Sequence, residues 1–276
     1  MEHVVEIQNL TKNYGKNRGV SDVSFAVDKG DIFGFLGPNG AGKSTTIRTM
    51  LGMIQKDAGT IRLLGREIKT GRDQESVLQE IGYMPSEAMF YPNMTVRDTM
   101  KLAADVRKRD CTLETEKLCE RLQVDVNKKI SELSLGNRKK VSIVCAMQHR
   151  PALFIFDEPT SGLDPLMQAE FFALIQEYVA DGATCMLSTH VLPEVKKYCK
   201  HVGVMKEGKL LLVDEVENVT KTNMKKIHLI RDGKTEEFIY KGALNDLYKE
   251  LQGHDIEDIL IEDPPLDEIF LHYYQA

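Results

Sequence analysis

Gly37-Pro38-Asn39-Gly40-Ala41-Gly42-Lys43-Ser44 is a glycine-rich turn set between two segments of different periodicity. Before it, residues 32–36 form a continuous apolar run, the pattern of a buried strand. After it, Ile47, Met50, Leu51 and Ile54 fall at i, i+3, i+4 and i+7, one face of a helix. Strand, turn and helix in that order are the context that the pattern G-x-x-x-x-G-K-[ST] requires. Glycines let the backbone close around phosphate oxygens, while amide N–H groups and the helix N-terminus face the negative charge. In this pattern Lys43 reaches the β/γ oxygens and Ser44 ligates Mg²⁺.

Working outward, residues 4–7 and 23–27 are apolar with period two and predict a half-buried sheet edge ahead of the buried strand. Further strands are expected at 59–64, 81–84, 153–156, 184–188 and 202–205, several followed by helical patterns. That alternation predicts a mostly parallel, helix-covered α/β sheet, and the phosphate-binding pattern at residues 37–44 set in it makes this a P-loop NTPase core. Residues 95–126 are helical and charged and read as an insertion riding on the sheet. After residue 220 the composition shifts. Strands at 225–230 and 236–240 flank Asp232-Gly233, a hairpin-favouring dipeptide, although the loop around it looks longer than two residues. A helix at 244–251, a strand at 256–261 and a final helix after Pro265 complete a small α/β appendage.

Composition narrows the function. The 276 residues are 42% hydrophobic and 28% charged, ordinary for a globular enzyme and outside the disordered and fibrous classes. No apolar stretch approaches the roughly 18 residues of a membrane span, and the start has no signal-peptide pattern, so a cytoplasmic chain is expected. Residues 221–276 hold seven basic and twelve acidic side chains, a net −5 of the −6 total. The nearly neutral remainder argues against a nucleic-acid partner held mainly by charge. The five cysteines show no C-x-x-C pair and no zinc spacing, and read as reduced and structural.

Hydrolysis at a phosphate site needs a carboxylate for the metal and a group that prepares water. Asp157 and Glu158 end the buried run Leu153-Phe154-Ile155-Phe156, where Asp157 can sit beside Ser44 to hold Mg²⁺ and Glu158 can turn toward the γ-phosphate as general base. His190 follows the strand at 184–188 at the same sheet end, within reach of the γ-phosphate and the attacking water.

With these motifs in order, residues 1 to about 220 resemble the ATP-binding cassette family. Tyr14 matches the adenine-stacking aromatic, and Gly37, Pro38, Asn39, Gly40, Ala41, Gly42, Lys43, Ser44 and Thr45 match the Walker A loop. Leu133-Ser134-Leu135-Gly136-Asn137 matches the signature sequence, Phe154 to Glu158 the Walker B strand, Ser161-Gly162-Leu163-Asp164 the D-loop and His190 the switch histidine. GTPases would show N-K-x-D, which Asn127-Lys128-Lys129-Ile130 is not. The resemblance implies ATP and Mg²⁺ as ligands and an ATPase with Glu158, His190 and Lys43 as catalytic residues. It further implies an N-terminal antiparallel β subdomain, a helical subdomain at about 87–147, and a cassette spanning 1–220 ahead of the appendage at 221–276.

Two positions depart from the family pattern. Leu135 and Asn137 stand for the first glycine and the glutamine of L-S-G-G-Q, while Ser134 and Gly136, the members expected to touch phosphate, are retained. After Ile81-Gly82-Tyr83-Met84-Pro85, the expected glutamine is Ser86, whose hydroxyl can still reach a metal-bound water. The segment 86–92, with Met89, Phe90 and Tyr91, is expected to form part of a permease docking groove.

The family further implies a head-to-tail dimer, homodimer or heterodimer, with each ATP held between the phosphate loop of one chain and the signature of the other. It implies a separate membrane permease that brings the chain to the inner face of the cell membrane. Residues 264–271 resemble the tail of cassettes serving drug, peptide or lipid exporters. Cassettes acting on ribosomes or DNA are disfavoured, because those types carry two cassettes per chain or long coiled coil. A catalytically weak regulatory cassette stays open on Leu135 and Ser86.

Overall fold

The computed structural model describes residues 2–15, 19–69, 72–220, 224–231, 233–254 and 256–262. Backbone contacts divide the chain into two compact units, Met1–Val213 and Asp214–Ala276.

The first unit opens with strands β1 (His3–Asn13) and β2 (Gly19–Asp28), which pair antiparallel. Val5 lies opposite Val27 and Ile7 opposite Phe25, and both rows are buried, so the period-two pattern delivers one apolar face to the core. Strand β3 (Ile32–Leu36) is buried along its whole length and leads through the glycine-rich turn into helix α1 (Lys43–Met50). Ile47, Met50 and Leu51 are buried as expected, whereas Ile54 falls beyond the helix end. Strands β4 (Ala58–Leu63) and β5 (Arg66–Glu67) join β1 and β2 in an antiparallel sheet of order β2-β1-β4-β5.

Helix α2 (Arg72–Leu78) then leads to β6 (Ile81–Met84). The charged insertion forms α3 (Val96–Val106) and α4 (Thr112–Arg121), followed by α5 (Leu135–Met147). Thr95 caps α3 by accepting from the Asp98 amide, and Ser134 caps α5 by accepting from the Asn137 amide. The chain returns through β7 (Leu153–Asp157), α6 (Pro165–Ala180), β8 (Thr184–Thr189), α7 (Leu192–Tyr198), β9 (His201–Lys206) and β10 (Lys209–Glu215).

These strands build a six-stranded sheet of order β10-β9-β3-β8-β7-β6, in which β9, β3, β8, β7 and β6 run parallel. Parallel strands with helical crossovers are covered on both faces, which is why β3, β7 and β8 are buried along their whole length. Strand β10 was not among the expected strands, although Leu210 to Val213 is an apolar run: its exposure alternates as an edge strand's does, and a two-residue turn, Glu207-Gly208 with both φ positive, joins it to β9. Beneath β7 the aromatic rings of Phe154, Phe156, Phe171 and Phe172 are fully buried. Phe156 meets Phe171 edge to face with centroids 5.3 Å apart, and Phe171 meets Phe172 at 5.2 Å.

The second unit contains α8 (Val216–Thr220), β11 (Met224–Arg231), β12 (Lys234–Lys241), α9 (Leu244–Leu251) and β13 (Ile256–Glu262). The three strands form a sheet of order β12-β11-β13 around the buried side chains of Ile227, Leu229 and Leu247. Pairing runs out to Arg231 opposite Lys234, so the β11–β12 loop has two residues and is not the longer loop expected. Gly233 at φ +68° permits this tight turn, and the Arg231 guanidinium clamps the strand ends by donating to Glu236 Oε1. The expected final helix and the exporter-like tail at 264–271 lie outside the described residues.

Candidate active site

Parallel register gathers the chemistry at one end of the sheet. Leu36 lies opposite Thr189, Asp157 opposite Ser188 and Met84 opposite Phe156. The residues that follow the carboxyl ends of these strands therefore emerge together: Gly37 after β3, Glu158 after β7, His190 after β8 and Ser86 just beyond β6. Open α/β sheets place ligands in this crevice.

The glycine-rich turn closes tightly. Ala41 N donates to Pro38 O at 3.1 Å, and Thr46 donates to Gly42 O from its amide at 2.9 Å and its hydroxyl at 3.0 Å. Gly42 sits at φ +102°, and a Cβ there would lie 2.8 Å from Val20 Cγ1, so the turn needs glycine on both conformational and steric grounds. The leading amides of α1 have no carbonyl one turn earlier to bond, which leaves a partial positive charge at the turn. Lys43 is 5% exposed and its ammonium is folded back into the loop. Nζ donates to Gly37 O at 2.5 Å and Pro38 O at 3.2 Å and pairs with Glu158 Oε1 at 3.1 Å.

The two acids at the end of β7 have separate environments. Asp157 is fully buried; one carboxylate oxygen accepts from Ser188 Oγ at 2.6 Å, and the other has no hydrogen-bond partner among the described residues. Glu158 adopts φ +51°, a left-handed conformation that costs a non-glycine residue about 1 kcal/mol or more. Its amide is held by Ser188, with donation to Ser188 O at 3.2 Å and Oγ at 3.1 Å. The carboxylate lies between two nitrogens, Lys43 Nζ on one oxygen and His190 Nδ1 at 2.8 Å on the other.

A cleft of about 1230 Å³ opens over the turn, lined by Tyr14, all of 38–45, Ser86 and Glu158. Tyr14 is half exposed, with Lys12 Nζ 5.5 Å from its ring centroid. Sequence reading missed the opposite wall, made by residues 11–13 and 19–21 at the β1–β2 end and by Glu207, Gly208 and Lys209 of the β9–β10 hairpin. No motif marks those positions; only the sheet order brings them to the turn. Ser86 lines the cleft, and its carbonyl accepts from Lys139 Nζ at 3.0 Å.

Ser134 and Gly136 do not line this cleft. They sit at the N-terminus of α5 beside the 161–164 loop, where a Cβ on Gly136 would lie 2.8 Å from Gly162 O. Leu135 in the same turn is 66% exposed, and Asp164 caps α6 by accepting from the Met167 amide.

The residues present fit Mg²⁺. The unpartnered buried oxygen of Asp157 and the hydroxyl of Ser44 are hard oxygen donors, and Mg²⁺ sites in phosphate-binding proteins are completed by water and substrate phosphates. Among the described residues no cluster of three His, Cys, Asp or Glu could hold a metal unaided.

Comparison with known proteins finds relatives over most of the chain. A family model described as "ABC transporter" matches residues 20–161. The "Probable multidrug ABC transporter ATP-binding protein YbhF" of Escherichia coli (strain K12) is 36% identical over 215 residues, covering 76% of this chain. The match covers 37% of YbhF, so this chain spans little more than a third of that relative's length. The "Bacitracin transport ATP-binding protein BcrA" of Bacillus licheniformis is 35% identical over 229 residues, 82% of this chain and 74% of that protein. A solved "Structure of ATP binding subunit of ABC transporter" superposes with a TM-score of 0.76 at 26% identity, covering 98% of this chain and 99% of that one.

Proposed function

Because the chain belongs to the ATP-binding cassette family of ABC transporters, we propose that it is the ATPase subunit powering export of a drug, peptide or lipid-like substrate through a separate membrane permease. The observation that carries this reading is the Glu158 carboxylate, which lines the cleft and lies between the phosphate-loop lysine and the histidine that follows β8. Relatives named for multidrug, bacitracin and linearmycin systems support export. In this reading residues 1–220 are the cassette, about 87–147 its helical subdomain and 221–276 an appendage.

ATP enters over the turn with its adenine against Tyr14 and its phosphates against the amides of 37–45. Lys43 then exchanges Glu158 for the β/γ oxygens, a trade of one charge-assisted contact for another. Glu158, freed from Lys43, accepts a proton from the attacking water, and His190 holds the γ-phosphate side of that water. Ser44 and Asp157 would hold Mg²⁺, with Ser86 reaching its water; the ion supplies neutralisation of charge developing on the phosphate oxygens. Little covalent work is left to the protein, so positioning and electrostatics carry the rate.

Ser134 and Gly136 do not line their own cleft, which suits them to the nucleotide of a second cassette, identical or not, in a head-to-tail dimer. No helix among the described residues is long and apolar enough to cross a membrane, so this reading places the translocation path in another chain and the cassette peripherally on the membrane's inner face. Met89 at 96% and Tyr91 at 70% exposure supply an apolar contact for it in the 86–92 segment. The nearly neutral charge of residues 1–220 disfavours a nucleic-acid partner held mainly by charge.

Reconstitution with a multi-span permease in vesicles tests the proposal. Permease and a lipophilic cyclic peptide together are expected to raise ATP turnover several-fold and drive ATP-dependent peptide movement. Turnover indifferent to any permease would contradict the transport reading. The catalytically weak alternative, motivated by Leu135 and Ser86, predicts no turnover in either setting.

A further inference from the structure

Lys139 lies in α5, on the turn that follows Ser134 and Gly136, and is 6% exposed. Ser142 and Ile143, three and four residues further along the same helix face, are buried too. A buried ammonium carries a desolvation penalty that only close partners offset. Two kinds of partner are present. Nζ donates to the carbonyl of Ser86 at 3.0 Å, while burial lowers the lysine's pKa, an effect that Glu158, Asp157 and Glu87 oppose without cancelling. One side chain thus ties the helix capped by Ser134 to Ser86, a residue that lines the nucleotide cleft. Lys139 does not itself line the cleft.

We propose that Lys139 is a positioning residue for hydrolysis: its ammonium ties α5 to the carbonyl of Ser86 and holds that loop in register with Asp157 and Glu158. The proposal rests on the ATPase reading of the site and assigns a role to a side chain outside the phosphate loop, the acids and the histidine. Lys139 acts on the geometry around Ser86 and Glu158, not on the surface that binds phosphate. Its loss therefore affects the chemical step and spares nucleotide affinity.

The test uses the full chain with Lys139→Met, which keeps the volume and removes charge and donor, and Lys139→Arg, which keeps both. Mg·ATP affinity, kcat, and amide hydrogen exchange across 85–90 without nucleotide are measured on each. The Met variant is expected to bind Mg·ATP within about twofold of the parent, to lose roughly tenfold or more in kcat, and to exchange faster at 86–88. The Arg variant is expected to recover most of the kcat. Lys139→Gln, uncharged but able to donate, replaces Met if that variant fails to fold, with a partial loss expected.

A Met variant with parental kcat or unchanged exchange overturns the proposal. So does an equal loss of kcat in the Met and Arg variants. If the parent itself shows no turnover, the ATPase reading fails, and exchange alone then judges Lys139. Faster exchange in the Met variant keeps it as the tether of the Ser86 loop, and unchanged exchange removes it.

Discussion

Glu158→Gln is expected to lower ATP turnover by roughly 10²-fold or more while leaving Mg·ATP binding intact, from the usual size of general-base effects. Glutamine is nearly isosteric with glutamate, so the left-handed turn at φ +51° and the amide contacts to Ser188 persist. What is lost is the carboxylate that would take a proton from water. The same change removes the partner of Lys43 at 3.1 Å, so the lysine meets incoming phosphate without first leaving a carboxylate, and affinity does not fall. Steady-state turnover and nucleotide titration on the same preparation separate the two effects. Turnover at the parental rate would remove Glu158 from the role of base.

Phe171→Ala is expected to destabilise the first unit by about 3–5 kcal/mol, the range for truncating a buried phenylalanine. Phe171 is fully buried in α6 and packs edge to face on Phe156, the residue before Asp157. The cavity would open directly beneath the strand that carries both acids, and the surrounding rings already interlock, with Phe154 against Tyr178 at 5.4 Å and Phe171 against Phe172. A thermal midpoint lowered by about 10 °C is the corresponding shift. A midpoint within about 2 °C of the parent would show that the cluster contributes little to holding β7.

What was legible in the sequence is what local physics decides. The run at 32–36, the glycine turn and the helical spacing after it are each set within a few residues, and β3, the turn and α1 follow from them. Asp157, Glu158 and His190 were readable because strand ends in a parallel sheet share one edge. The contacts among them were not. The pair between His190 and Glu158, and the bond from Ser188 to Asp157, depend on β8 lying next to β7, an ordering that no spacing encodes. Edge elements were harder still: the apolar run Leu210 to Val213 of β10 lies half-buried to exposed at the sheet edge, and how far pairing of β11 and β12 runs toward their turn is set by the strands' register and not by the dipeptide alone. The grip of Lys139 on Ser86 joins residues 53 apart through a backbone carbonyl and leaves no trace in side-chain pattern.

Everything proposed for the site requires that the turn at 37–45 hold a triphosphate through Lys43. Calorimetric titration of the intact chain with Mg·ATP, repeated on Lys43→Ala, tests that requirement most directly. Saturable binding that weakens at least tenfold in the variant is the predicted result, the size expected when a charged donor to phosphate is lost. No binding to the intact chain, or equal affinity in the two proteins, would contradict it.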